Sequence, residues 1–287
     1  MNHAASEDPA AQQAYDPQIA HTIWELERRV RRGRTSDSTR RALLSAHVEQ
    51  MRLIEERAGV DEEGRSFALL QGRVAPGVLL LPGEMQDCRV VRRLAERFHQ
   101  HGYTVLASSL AYRTLDLPGL SPVYWQTCLD EAENRYDMLQ HYASRVGIVG
   151  VGLGATMALH VATTKRVNNV VALMPTFDAR VGIGERMRAL LRRVVPRRRK
   201  PPAGWSTQRS VAAENAREAA ARHAIPLLVI AEERRDRSDV GRSVRVAQRL
   251  ASQSGGPIHL FPPGTVETPD DLPDDLVDKV VTFLRAR

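Results

Sequence analysis

The sequence predicts an α/β fold: a mostly parallel central sheet flanked by helices, with a helical cap and an N-terminal helical hairpin. Three observations carry this. Seven short apolar runs bounded by Gly and Pro alternate with helical stretches along residues 65–287. The runs are continuously apolar, as strands buried on both faces must be. Most intervals between them are long enough for a crossover helix, which parallel neighbours require.

Residues 1–17 are polar, rich in Ala and Gln and without periodicity, and read as a disordered tail. Residues 18–60 read as a helical hairpin. Ile19, Ile23, Leu26 and Val30 recur at helical spacing, and after Gly33 the cap signal Ser36-Asp37-Ser38 precedes Leu43, Leu44, His47, Val48, Met51 and Ile54. The predicted strands are Phe67–Leu70, Val78–Leu81, Thr104–Ala107, Val146–Val149, Val170–Met174, Leu227–Ile230 and Ile258–Phe261. Helices are expected to begin near Asp87, Tyr124, Gly154, Val240 and Asp274. In such sheets ligands sit at the carboxyl ends of the strands, so the loops after them are where chemistry belongs.

With 43% hydrophobic and 26% charged residues, the 287-residue chain is neither collagen-like, disulfide-stapled nor largely disordered. No apolar run approaches the ~20 residues of a membrane helix. Met1–Pro9 is acidic and polar rather than apolar, so the expectation is a cytoplasmic protein. Arginine outnumbers lysine 38 to 3, the usage expected of a high-GC bacterial genome. Cys88 and Cys128 are too few for a disulfide framework and lack metal-site spacing, so neither metal nor cofactor is expected.

The net charge of +7 is concentrated. Residues 180–209 hold ten basic residues and the single acid Glu185, a net of +9 that leaves −2 for the remainder. Ile183, Met187, Leu190, Leu191 and Val194 fall on one helical face there, ended by Pro196 and followed by Arg197-Arg198-Arg199-Lys200. This is a basic amphipathic segment suited to an anionic surface, or a cap whose arginines are simply solvated. A charge confined to one segment, with few aromatics in it, gives no support to specific nucleic-acid binding.

Three loops together carry a resemblance. Leu80-Leu81-Pro82-Gly83-Glu84 follows an apolar strand; Pro122-Val123-Tyr124-Trp125 precedes a helix; Gly150-Val151-Gly152-Leu153-Gly154 joins a strand to a helix. Their order and spacing resemble the α/β-hydrolase family, particularly bacterial carboxylesterases and monoacylglycerol-lipase-like members, over about Phe67 to Arg287. The resemblance implies oxyanion-type amides near Glu84 and Leu153 and a nucleophile elbow, G-x-S-x-G, at residues 150–154. Glycine stands at the nucleophile position, Gly152. The family's histidine falls at about Thr265, and no histidine lies beyond His259; the acid falls at Arg235 or Asp236.

A lone carboxylate supplies neither an activated nucleophile nor its base. The expectation is therefore a pseudohydrolase, with Gly152, Asp236 and Thr265 as degenerate triad positions. Gly83, Glu84, Met85, Ser108, Ser109, Gly152, Leu153 and Asp178 are the candidate ligand contacts, for a small apolar or acyl-type molecule. The competing reading is an atypical hydrolase or a non-hydrolytic enzyme in the same pocket, drawing on Ser108, Ser109, Cys88 or Asp236. His160 and Thr156 share a helix face with Gly152, a face expected to pack in the interior. The same glycines also fit G-x-G-x-x-A, the dinucleotide fingerprint, with Asp178 as the ribose partner, although that motif ordinarily opens its domain. The hairpin, with Arg28, Arg29, Arg31, Arg32 and Arg34, must bury its apolar stripe on the body, on a second copy or on another protein.

Overall fold

In a computed structural model the described residues are 16–33, 35–84, 86–110, 125–177, 212–218, 225–233 and 239–286. The predicted tail up to residue 15, Arg34, Met85, Asp178, Arg235, Asp236, the whole of the 179–210 cap and the Pro122–Tyr124 segment lie outside them.

The first helix, α1, spans Pro17–Arg31, and α2 spans Asp37–Arg57. Asp16 accepts hydrogen bonds from the Gln18 and Ile19 amides, and Pro17, whose ring fixes a helical φ, takes the first position. The helix therefore starts one residue before the predicted hairpin boundary. Ser36 caps α2 through the Thr39 amide, as its sequence signal predicts.

Seven strands follow: β1 Phe67–Leu69, β2 Gly77–Leu81, β3 Thr104–Ala107, β4 Val146–Val151, β5 Val170–Leu173, β6 Leu227–Glu232 and β7 Ile258–Phe261. Interleaved are α3 Arg92–Gln100, α4 Trp125–Tyr142, α5 Leu153–Thr164, α6 over 212–218, α7 Asp239–Ser254 and α8 Asp274–Arg285. They form one sheet in the order β1-β3-β2-β4-β5-β6-β7. All neighbours are parallel except β1 and β3, which pair antiparallel with Phe67 opposite Ala107. Each predicted strand is present, and each helix begins within about two residues of its predicted start, α3 being led in by a 3-10 turn at Cys88–Val91.

Alternation divides the strand side chains between two layers. Leu79, Leu81, Ile148, Ala172 and Val229 pack with α2, α4, α5 and α7 on one face. Val78, Leu80, Val149, Val171 and Ile230 pack with α3 and α8 on the other. The inner strands β2, β4 and β5 are buried on both faces and carry no polar side chain. The α8 side buries Leu276, Val277, Val280, Val281 and Leu284 at about 1.5–3 kcal/mol each. Asp270, in the turn before α8, accepts from the Arg93 and Leu94 amides and so caps α3 from 176 residues away.

The hairpin's stripe is buried on the body. Leu44, Val48 and Met51 of α2 join the core layer that contains α4, while α1 has no fully buried residue and rests on α2. A polar seam fixes the junction. The Glu55 carboxylate accepts from the Ser66 amide and hydroxyl, both at 2.6 Å, and the Arg41 guanidinium donates to the Gly72 carbonyl at 2.7 Å.

Candidate functional site

From β2 the chain moves outward to β3 on one side, then crosses back to β4 on the other and continues to β5. This reversal leaves a crevice beyond the carboxyl ends of β2 and β4, where Leu81 pairs with Gly150. Open α/β sheets bind ligands at such a switch point. Gly83 and Gly152 lie at this crevice.

Gly152 makes the sharp turn from β4 into α5 with φ 52° and ψ −115°. Its amide donates to the Leu173 carbonyl at 3.0 Å, and its carbonyl accepts from Thr176 and Ala155. The flanking glycines are demanded by packing. A Cβ on Gly150 would strike the Gly154 carbonyl, and one on Gly154 would strike the Leu81 carbonyl. Gly152 differs: a Cβ there would have only Thr176 Oγ1 at 3.6 Å and the Gly83 Cα at 3.7 Å, both ordinary contacts. The elbow thus has the space for a side chain at its apex and lacks one.

Around that apex stand groups the sequence motifs do not single out. Thr176 follows β5, and its carbonyl accepts from the Thr156 hydroxyl at 3.1 Å, tying the β5 loop to α5. Met174 is the one non-glycine with positive φ among the described residues, at 45°. A left-handed methionine is strained, and such strain collects at functional sites. Gln86 accepts from the Gly83 amide through Oε1 at 2.9 Å and donates its own amide back to the Gly83 carbonyl, closing the β2 loop on itself. Only position in the chain, just beyond a strand's carboxyl end, marks these three in the sequence. The Leu153 amide, first in the 12-residue α5, has no acceptor among the described residues.

The structure separates the remaining candidates. Ser108 is wholly buried in the hairpin seam: it accepts from Arg135 Nε at 3.2 Å, its hydroxyl oxygen lies 3.2 Å from that of Ser66, and it is 3.8 Å from Met51 Sδ. It joins β3 to α4, α2 and the start of β1, so its hydroxyl is already engaged within the protein. A polar residue just past a strand end reads as site-lining in sequence, but here the added hairpin covers it. Ser109 is half-buried, with its hydroxyl 3.5 Å from Cys88 Sγ. Burial above all, with Glu55 adding, pushes the Cys88 thiol up to about 12, so it carries no thiolate. Cys128 is buried in α4. His160 is buried, stacked on Trp125 at 5.1 Å, with Nε2 3.0 Å from the Ala212 carbonyl and its pKa lowered, chiefly by burial. Glu84 is half-buried beside Gly83.

Thr265 lies exposed in the turn after β7, its hydroxyl donating to the Pro262 carbonyl. The Glu232 carboxylate, at the end of β6, accepts from the Gly264 amide at 2.9 Å and ties this turn to the neighbouring strand. Glu232 and Glu233 are thus the described carboxylates that immediately precede the expected acid position in sequence. His259 sits within β7 rather than in the loop beyond it. Among the described residues no group of three His, Cys, Asp or Glu side chains is placed to hold a metal ion.

No protein-family model matches the chain, and no curated protein matches it in sequence. Solved structures do match in shape. A lipolytic enzyme from a study of the metagenome-derived LipS and LipT aligns with a TM-score of 0.60 at 15% identity, over 79% of this chain and 99% of its own. A soluble variant of Saccharomyces cerevisiae monoglyceride lipase aligns at 0.57 with 11% identity, over 77% and 90%. The Paleococcus ferrophilus monoacylglycerol lipase aligns at 0.52 with 16% identity, over 76% and 97%. The reversing parallel sheet, the left-handed turn between β4 and α5 and these neighbours together make this an α/β-hydrolase-fold chain.

Proposed function

We propose that the protein binds a small apolar or acyl-type ligand in the crevice between the β2 and β4 loops and does not turn it over by serine-hydrolase chemistry. The observation that carries this reading is Gly152: the strained backbone of a nucleophile elbow, φ 52° and ψ −115°, without the hydroxyl that the turn ordinarily presents. Supporting it, the turn after β7 offers Thr265 and no histidine, so a water held at Gly152 would lack a base from that side. Thr176 and Gly83 stand beside Gly152, and with the Leu153 amide at the start of α5 they suit a ligand carbonyl.

The test is turnover of short and medium-chain nitrophenyl esters by the purified full-length protein, alongside fluorophosphonate labelling and mass spectrometry of extracted small molecules. The expected outcome is no labelling, no turnover above a background-purified control, and a co-purifying apolar ligand. Ester turnover that follows the protein through every column overturns the reading. Ser109 and Glu232 would then be replaced first, since Ser108 and Cys88 are buried.

A further inference from the structure

We propose that the outer face of α1 is a docking surface for an anionic lipid bilayer. The inner stripe of α1, Ile19, Ile23, Leu26 and Val30, is half-buried where the helix rests on α2. On the opposite side His21, Trp24, Arg28 and Arg32 follow one another at intervals of three and four and form a second face. Trp24 is 54% exposed, one of two large exposed hydrophobic side chains among the described residues. His21 packs against its ring at 6.0 Å, and the Arg28 guanidinium lies over it at 5.1 Å. The last turn adds Arg29 and Arg31, and the first turn holds no acid. Arg31 is paired with Glu27 at 3.1 Å, whereas Arg28, Arg29 and Arg32 have no carboxylate partner among the described residues.

A water-exposed tryptophan held between an imidazole and a guanidinium serves no internal purpose in a helix already packed by its other face. Its chemistry fits the headgroup level of a membrane, where an indole inserts its apolar ring and keeps its N–H wet while guanidinium groups meet phosphates. A second copy related by a two-fold axis would set arginines against arginines. Nucleic acid would call for several aromatics to stack on bases, and this face has one. The surface lies on a different element from the β2 and β4 loops, so its test does not depend on what those loops bind.

The full-length protein is sedimented with vesicles of phosphatidylcholine alone and of phosphatidylcholine with about one-third phosphatidylserine. Binding is expected only to the second, and to weaken with added salt. Trp24→Ala should weaken it by about tenfold. The combined Arg28→Gln, Arg29→Gln and Arg32→Gln variant should lose about fivefold per arginine, roughly a hundredfold in all. All four side chains are exposed, and circular dichroism verifies that the variants stay folded. A parallel variant with Arg197, Arg198 and Arg199 changed to Gln controls for the other basic segment. Absence of vesicle binding by the unmodified protein overturns the proposal. So does binding that survives both α1 variants and disappears in the control, or α1 variants that weaken binding to a single-stranded oligonucleotide while leaving vesicle binding intact.

Discussion

At the residue scale the elbow distinguishes two kinds of glycine. Gly150 and Gly154 are fixed by close backbone approach: a methyl at either would enter a carbonyl of α5 or β2. Gly152 is fixed only by its φ, and strain of about 1–3 kcal/mol is what a side chain costs there. Gly152→Ser should therefore fold, with its thermal midpoint lowered by a few degrees, whereas Gly154→Ala should fail to give a folded monomer. Circular dichroism melts of the two variants check this, and equal midpoints would show that the packing at Gly154 is not as tight as described. Cys88 gives a second expectation at this scale. With its thiol pushed up to about 12 by burial, it should resist alkylation at neutral pH until the chain unfolds. Peptide mapping after iodoacetamide treatment, with and without denaturant, reads this directly. The glycine pattern itself was legible in the sequence, because G-x-G-x-G after an apolar run permits few geometries. Thr176, Met174 and Gln86 were not. Nothing in their residue types announces a site, and their positions follow only from how β5 and the β2 loop close beside the elbow.

At the element scale the hairpin rests on a small polar seam more than on its first helix. Glu55 accepts two hydrogen bonds from Ser66, whose hydroxyl lies 3.2 Å from that of Ser108, itself an acceptor from Arg135. Replacing Glu55 with Ala leaves two part-buried donors unsatisfied and should cost about 2 kcal/mol or more. The loss should be local. Amide hydrogen exchange in α1 and α2 is expected to accelerate while β4 and α5 keep their protection, and uniform acceleration across the sheet would contradict this. The inner strands were readable because burial on both faces leaves only apolar residues in β2, β4 and β5. The antiparallel direction of β1 was not, since a three-residue strand carries no signal of its orientation and its pairing with β3 is decided by the hairpin behind it. The burial of Ser108 was not legible either, since it comes from Met51 of α2 packing against it.

For the whole molecule the two layers and the hairpin share a dependence on neutral histidine. His47, His160 and His259 are all held below the usual 6.5, in each case chiefly by burial. They sit at three joints. His47 of α2 faces Glu27 of α1, which opposes the shift, and Arg135 and His141 of α4, which add to it. His160 joins α5 to α6 through the Ala212 carbonyl, and His259 lies on the edge strand near Lys279 and Asp275 of α8. Because the folded values are depressed, the unfolded chain takes up protons first as the pH falls, and folding then loses ground. The contribution from neutral burial is complete above about pH 6.5 and declines as the pH drops below it toward the lowered folded values. Asp271, whose carboxyl is held low by its hydrogen bonds to Thr268, keeps its contribution through this window and loses it only in more acid solution. Urea midpoints should accordingly be level from about pH 8 to 7 and fall below about 6.5. Replacing His47 with Asn should flatten part of that fall while leaving His160 and His259 to supply the rest. A midpoint that holds steady down to about pH 5 would show that these imidazoles are hydrated in the folded chain, and that the hairpin and α6 are not seated as closely as the structure has them.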